Sequence, residues 1–259
     1  MAAERLPILA AALLLSAACR SSFLPLRGKI EVGRDPMVVF AGGQEPSSGD
    51  LYALPTAGGR AIPITFSAVA EMRPALSDDG VMVAFLRAGT LTDTMPTGVW
   101  VLNLLNGGER RIELPAEAGP PEQVAWADRG TLVVRAGGRL YRATAPPASG
   151  AAMPVEAEGR AAAESVLAVL LGSPPFGRAV PCANAEDLCV VGDTGAPTVF
   201  ARGAREPARW GEDSIAYLEG DRLMVRPLGA GRARTVEWSG VPPRRGQLSM
   251  FPGASGEPQ

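Results

Sequence analysis

The chain has 259 residues, 20% of them charged, a net charge of −2, and 31 Gly with 24 Pro. Breakers at about a fifth of positions, against an average of roughly 12%, exclude a long helical bundle or coiled coil and favour short strands between turns. There is no histidine and Lys29 is the only lysine. His-dependent hydrolase triads and His-ligated zinc or haem are excluded, and Schiff-base chemistry has almost no candidate. The charge balance makes no electrostatic case for nucleic acid. A hydrophobic share of 46% with a mean hydropathy of +0.09 argues against wholesale disorder.

Residues 6–18 form an apolar run of thirteen residues, too short to span a bilayer core of about 30 Å. Its abrupt end in small residues predicts an export signal over residues 1–18. Leu15-Ser16-Ala17-Ala18-Cys19 resembles the bacterial lipobox, with Ser16 where that pattern usually has Leu. The resemblance implies that Cys19 is diacylated and becomes the mature N-terminus. Each buried acyl methylene would then contribute about 0.8 kcal/mol to membrane attachment. An ordinary signal peptide with a chance cysteine is the alternative. Residues 19–28 read as a lipidated tether, with Arg20, Ser21, Ser22, Pro25 and Gly28.

Past residue 35 the chain repeats itself. Met37-Val38-Val39-Phe40 and Gly49-Asp50-Leu51-Tyr52-Ala53-Leu54 read as strands, with Gly58-Gly59 at the following turn. The clearest unit opens with Pro74-Ala75-Leu76-Ser77-Asp78-Asp79-Gly80 and runs into Val81-Met82-Val83-Ala84-Phe85-Leu86. Gly98-Val99-Trp100-Val101-Leu102-Asn103-Leu104 and a Gly107-Gly108 turn follow. The unit returns at Trp126-Ala127-Asp128-Arg129-Gly130, weakly at Leu188-Cys189-Val190-Val191, and again at Trp210-Gly211-Glu212-Asp213. Trp126 and Trp210 stand 84 residues apart with the weak copy between them, so one unit is about 42 residues. Periods of about 40–45 residues with four strands per unit mark a β-propeller, whose blades cover one another's apolar faces.

Leu76-Ser77-Asp78-Asp79-Gly80 followed by Ala84-Phe85 resembles the W-S-P-D-G…I-A-F pattern of TolB-like (WD40-like) propeller repeats. The Trp126 and Trp210 segments are degenerate copies. Leu76 replaces the usual Trp, Asp78 replaces the Pro, and residues 160–180 fit poorly. The expected fold is therefore all-β: a propeller of four-stranded antiparallel blades over residues 29–251, with five blades and room for six. The blades are placed at about residues 29–66, 67–115, 116–158, 159–205 and 206–251. Lys29-Ile30-Glu31-Val32 and Gln247-Leu248-Ser249-Met250-Phe251 are the candidate closing strands. Glu164-Ser165-Val166-Leu167-Ala168-Val169-Leu170-Leu171 has the propensity of a helix but in this repeat context reads as a buried strand, and residues 252–259 read as a disordered tail.

Cys182 and Cys189 flank a polar, turn-like segment and can meet across it. Export would favour their disulfide, with two buried thiols as the alternative. Two sulfurs without further Cys or His do not complete a metal shell, so neither metal nor cofactor is expected. Asp78-Asp79-Gly80 reads as a turn rather than a metal loop. Trp126 and Trp210, and the set Tyr52, Trp100, Tyr141 and Met224, recur at fixed repeat positions and read as core. Arg110-Arg111, Arg232 with Arg234, and Arg244-Arg245 read as solvated cations, the last pair the most exposed to a role because Pro242-Pro243 stiffens it. Glu71, Asp78, Asp79, Asp128, Glu212 and Asp213 read as repeat-locked acids that do not form the carboxylate pair a glycosidase needs. No nucleophile elbow or dinucleotide fingerprint stands out.

No catalytic residues are therefore predicted. The expected role is a non-catalytic, monomeric, lipid-anchored scaffold on the periplasmic face of a bacterial membrane; the lipobox resemblance, with Arg20 rather than an acid after Cys19, implies the outer one. It would hold a protein partner and touch the membrane through its anchor only. TolB-like propellers, by resemblance, act in cell-envelope assemblies. The alternative is a small propeller enzyme, of glycosidase or lyase type, acting on an envelope glycan.

Overall fold

The computed structural model describes residues 23–43, 49–146, 151–155, 178–182, 184, 187–191, 195–210, 214–240 and 243–251. The expected signal peptide, Cys19, the strand at 164–171 and the tail at 252–259 lie outside the described residues. In chain order the strands are β1 (Met37–Gly42), β2 (Asp50–Pro55), β3 (Gly59–Arg60), β4 (Ile62–Pro63), β5 (Glu71–Leu76), β6 (Met82–Ala88), β7 (Pro96–Asn103) and β8 (Glu109–Ile112). There follow β9 (Pro121–Asp128), β10 (Thr131–Ala136), β11 (Arg139–Thr144), β12 (Met153–Pro154), β13 (Arg178–Pro181), β14 (Leu188–Val191) and β15 (Pro197–Ala201). The last are β16 (Ala204–Trp210), β17 (Ser214–Glu219), β18 (Arg222–Pro227), β19 (Arg234–Val236), β20 (Trp238–Ser239) and β21 (Pro243–Phe251).

Sheet order is β21-β1-β2-β4, then β5-β6-β7-β8, β9-β10-β11-β12, the three-stranded β13-β14-β15, and β16-β17-β18-β19. These are successive blades of a β-propeller, each an antiparallel meander. The C-terminal strand closes the ring. β21 pairs with β1 in the register Val38↔Met250 and packs against both β5 and β16. It is therefore the inner strand of the first blade, set between the inner strands of its two neighbours.

Alternation within single strands explains why the blades stack. Met37, Val39 and Ala41 share a core with Val83 and Phe85 of the second blade. Val38 and Phe40, pointing the other way, share one with Ala216 and Leu218 of the last blade. On β6 the opposite set, Ala84 and Leu86, packs with Leu132 and Val134 of the third blade. Ile215 and Tyr217 pack with Leu188 and Phe200 of the fourth. A period-two strand buried on both faces is what a stack of blades requires. Polar links reinforce the seams: Trp126 Nε1–H donates to the Ala75 carbonyl at 2.8 Å, and the Leu76 amide donates to Ser249 Oγ at 2.9 Å.

The N-terminal candidate closing strand behaves differently. Residues 29–32 are a turn and coil, because β21 already occupies the inner edge of β1. Gly28 (φ 71°) and Gly33 (φ 77°) bracket this segment in the left-handed region, which ends it after a few residues. The apolar alternation of Ile30 and Val32 has another use. Both are buried, as is Leu26 at 0% exposure, and all three join the core between the first two blades. Residues 23–28, expected to belong to the tether, are thus packed against the propeller. The amides of Arg27 and Ile30 bond back four residues, to Phe23 and Leu26 carbonyls, and the Phe23 amide reaches the Leu104 carbonyl at 2.9 Å.

Candidate functional site

Antiparallel blades sort the connections onto two ends of the ring. Turns between first and second strands, and between third and fourth, lie at one end. Turns between second and third strands, and the links between blades, lie at the other. The predicted turn Asp78-Asp79-Gly80 belongs to the first end and is tied by local bonds. Ser77 Oγ–H donates to Asp79 Oδ1 at 2.6 Å, the Val81 amide donates to the same oxygen at 3.1 Å, and Gly80 has φ 66°. Asp128 does the same at the equivalent turn, accepting from the Gly130 amide at 2.8 Å. These acids hold turns together, and no group of three or more metal-ligating side chains occurs among the described residues.

Trp126 lies in the core between the second and third blades, and Trp210 is half-buried beside the core of the last and first. Tyr52, Trp100, Tyr141 and Met224 all stand on third strands, opposite Phe40, Phe85, Val134 and Tyr217. Cys182 and Cys189 are joined, with an S–S distance of 2.10 Å, across the turn between β13 and β14. Arg110 and Arg111 are exposed on β8, as are Arg232 and Arg234 near β19. Glu212 and Asp213, and the side chains of Arg244 and Arg245, lie outside the described residues.

Glu71 departs from its expected place. It opens an inner strand, fully buried at the seam of the first two blades. Arg87 Nε and Nη2 donate to Glu71 Oε1 at 2.8 and 2.5 Å, and Nη2 also reaches Glu109 Oε2 at 2.6 Å. The guanidinium lies over the rings of Trp100 and Phe85, 4.5 and 5.1 Å from their centroids, a cation–π arrangement. The Glu71 amide donates to the Gly49 carbonyl at 3.0 Å. Nearby, Asp50 Oδ1 accepts from the Ser67 amide at 2.7 Å and Thr65 Oγ1 from the Leu51 amide at 2.8 Å.

Burial dominates the electrostatics. It pushes the Glu71 carboxyl up to about 7, against the downward pull of Thr65 and Arg87 and with some help from Glu109. Arg87 also moves up, despite burial, because Glu71 and Glu109 hold its charge in place. The two directions agree once the cluster is read as a unit. Arg87 stays charged and Glu109 balances it, so a neutral Glu71 leaves a compensated pair while an ionised one adds an unbalanced buried charge. Glu71 Oε2 is buried without a partner in hydrogen-bonding geometry, which fits the same preference. Chemically, a carboxyl near 7 has the poise of a proton donor, but Glu71 has no exposed surface to offer a substrate, and Arg87 occupies its one paired oxygen. A signal was present in the sequence: Val83, Phe85 and Arg87 fall on one face of β6, placing an arginine where an apolar residue belongs.

No family model matches the chain, and no curated protein matches it. Among solved structures it is similar to TolB from Acinetobacter baumannii, with 12% identity over 86% of this chain and 67% of that one and a TM-score of 0.46. It is also similar to the β-propeller domain of Cps50 (Swd1) from Myceliophteria thermophila, 10% identical over 86% of this chain and 98% of that one, with a TM-score of 0.40. A third similarity is to the periplasmic gluconolactonase of Pseudomonas aeruginosa, 12% identical over 77% and 67% of the two chains, TM-score 0.32. The propeller architecture itself rests on the strand order and the shared cores.

Proposed function

We propose that this chain is a non-catalytic, lipid-anchored β-propeller of the bacterial cell envelope that holds a protein partner. The observation that carries the reading is the packed N-terminal segment. Leu26, Ile30 and Val32 fix residues 23–36 into the core between two blades, so the propeller begins four residues after Cys19. Acylation there would hold a rigid body against the bilayer and turn the opposite end outward. That outer end carries exposed apolar side chains, Phe66 on a link between blades and Leu91 and Met95 on a hairpin loop, at 70, 61 and 64% exposure. Binding residues are disproportionately carried on loops held by a rigid scaffold, which makes these three side chains the candidates for partner contact. An export route is in keeping with the bridged Cys182 and Cys189.

Mass spectrometry of the mature N-terminus tests the anchor: a diacylated Cys19 is expected, and an unmodified start elsewhere removes it. Affinity capture from envelope extract tests the partner. A protein retained by the native chain and lost with Phe66→Asp combined with Leu91→Asp is expected; retention of glycans alone would favour the enzyme alternative.

A further inference from the structure

A cleft of about 510 Å³ opens beside the first blade, lined by Lys29, Pro55, Arg60, Ala61, Ile62 and Pro63. Its floor is apolar, formed by two prolines with Ala61 and Ile62. Its charged side chains are two exposed cations from different parts of the chain, Lys29 on the docked N-terminal segment and Arg60 on β3. No carboxylate lines it among the described residues. Lys29 Nζ donates to the Pro25 carbonyl at 3.3 Å, a neutral partner that leaves its charge uncompensated. Arg60 makes no ion pair among the described residues.

We infer that this cleft binds the phosphodiester headgroup of an anionic phospholipid in the leaflet that carries the anchor. The location rests on the proposed acylation of Cys19. Phe23 stands four positions after Cys19, and at no more than about 3.6 Å per step this stretch spans about 14 Å when fully extended. Phe23 is bonded to Leu104, so that contact is held within this reach of the headgroups, at the same end of the propeller as Lys29. Leu24, in the same turn as Lys29, is 74% exposed and can enter the interface. The chemistry fits a phosphodiester joined to a glycerol. A guanidinium offers paired donors to phosphate oxygens, an ammonium adds a point charge, and the apolar floor accepts the carbons beside them. Each cation near an anionic surface contributes about fivefold to binding, and the pair about thirtyfold.

Lys29 being the only lysine makes the test site-specific. The mature chain, as purified, is placed in vesicles of phosphatidylcholine alone or with phosphatidylglycerol, and an amine-reactive reagent labels Lys29, followed by mass spectrometry. Phosphatidylglycerol should slow the labelling about fivefold or more. Arg60→Gln should restore most of the lost rate, whereas Arg139→Gln with Arg222→Gln, on the opposite end, should leave the protection in place. Equal labelling in both vesicles overturns the inference. So does protection that Arg60→Gln does not touch, or that the distant pair abolishes equally, since either means net charge alone. Inorganic phosphate giving the same protection in phosphatidylcholine means a free anion is the ligand, and also overturns it. The same spectra report Cys19: protection in a chain without acyl groups keeps the cleft and retires the anchor, while an acylated chain without protection does the reverse.

Discussion

Replacing Glu71 with Gln should flatten a pH dependence that the native fold carries. The carboxyl rises from its ordinary 4.5 to about 7 because it is buried. A folded-state value above the unfolded one means the folded protein binds the extra proton. The associated stability is fully present below pH 4.5 and is lost as pH rises through 7. At about 1.4 kcal/mol per pH unit, the loss amounts to about 3 kcal/mol between pH 4 and 8. Solvent screening does not reduce this much, since the Glu71 side chain has 0% exposure. Glutamine copies the neutral acid in shape and still offers Oε1 to Arg87, so it should lack the titration. Urea unfolding of both proteins at several pH values, with the disulfide intact, reads the difference directly. The native protein should lose ground to Glu71→Gln as pH rises. A constant gap, or a native protein that gains with pH, would show that Arg87 keeps Glu71 ionised in the fold and would refute the reasoning.

Three further outcomes follow from packing and chain constraint. Leu26→Ala should cost about 2–5 kcal/mol, as for other fully buried leucines, and should speed proteolysis near residue 27; an unchanged unfolding midpoint would mean the segment is not part of the core. The Cys182–Cys189 bridge closes a loop with a sequence separation of 7; its loss should cost about 2–3 kcal/mol by chain entropy, seen as a lower melting temperature in reductant that Cys182→Ser with Cys189→Ser reproduces. Gly58→Ala should destabilise by at least about 2 kcal/mol, because Gly58 has φ +92° and an added Cβ would strike the Glu237 carbonyl oxygen. That close approach lets the Gly59 amide bond to Glu237 and brings β3 beside β20, so a neutral substitution would mean this contact is not made.

The chain itself dictated the propeller. Turn residues recurring at about 42-residue spacing, with period-two apolar strands between them, leave sheets that must be covered on both faces, and in a chain this rich in breakers stacked blades do this. The Asp-Gly turns and the C-terminal strand followed from the same local rules, since a hairpin's conformation is written in the few residues that make it. Tertiary structure decided the rest. Lys29-Ile30-Glu31-Val32 has the alternation of a strand, yet β21 holds the edge it would need, and Ile30 and Val32 serve as a plug with Leu26. Glu71 looks like any turn acid until the second strand brings Arg87 against it. Alternation tells which residues share a face but not which other blade that face meets, and burial, ion pairing and the raised carboxyl all arise from that meeting.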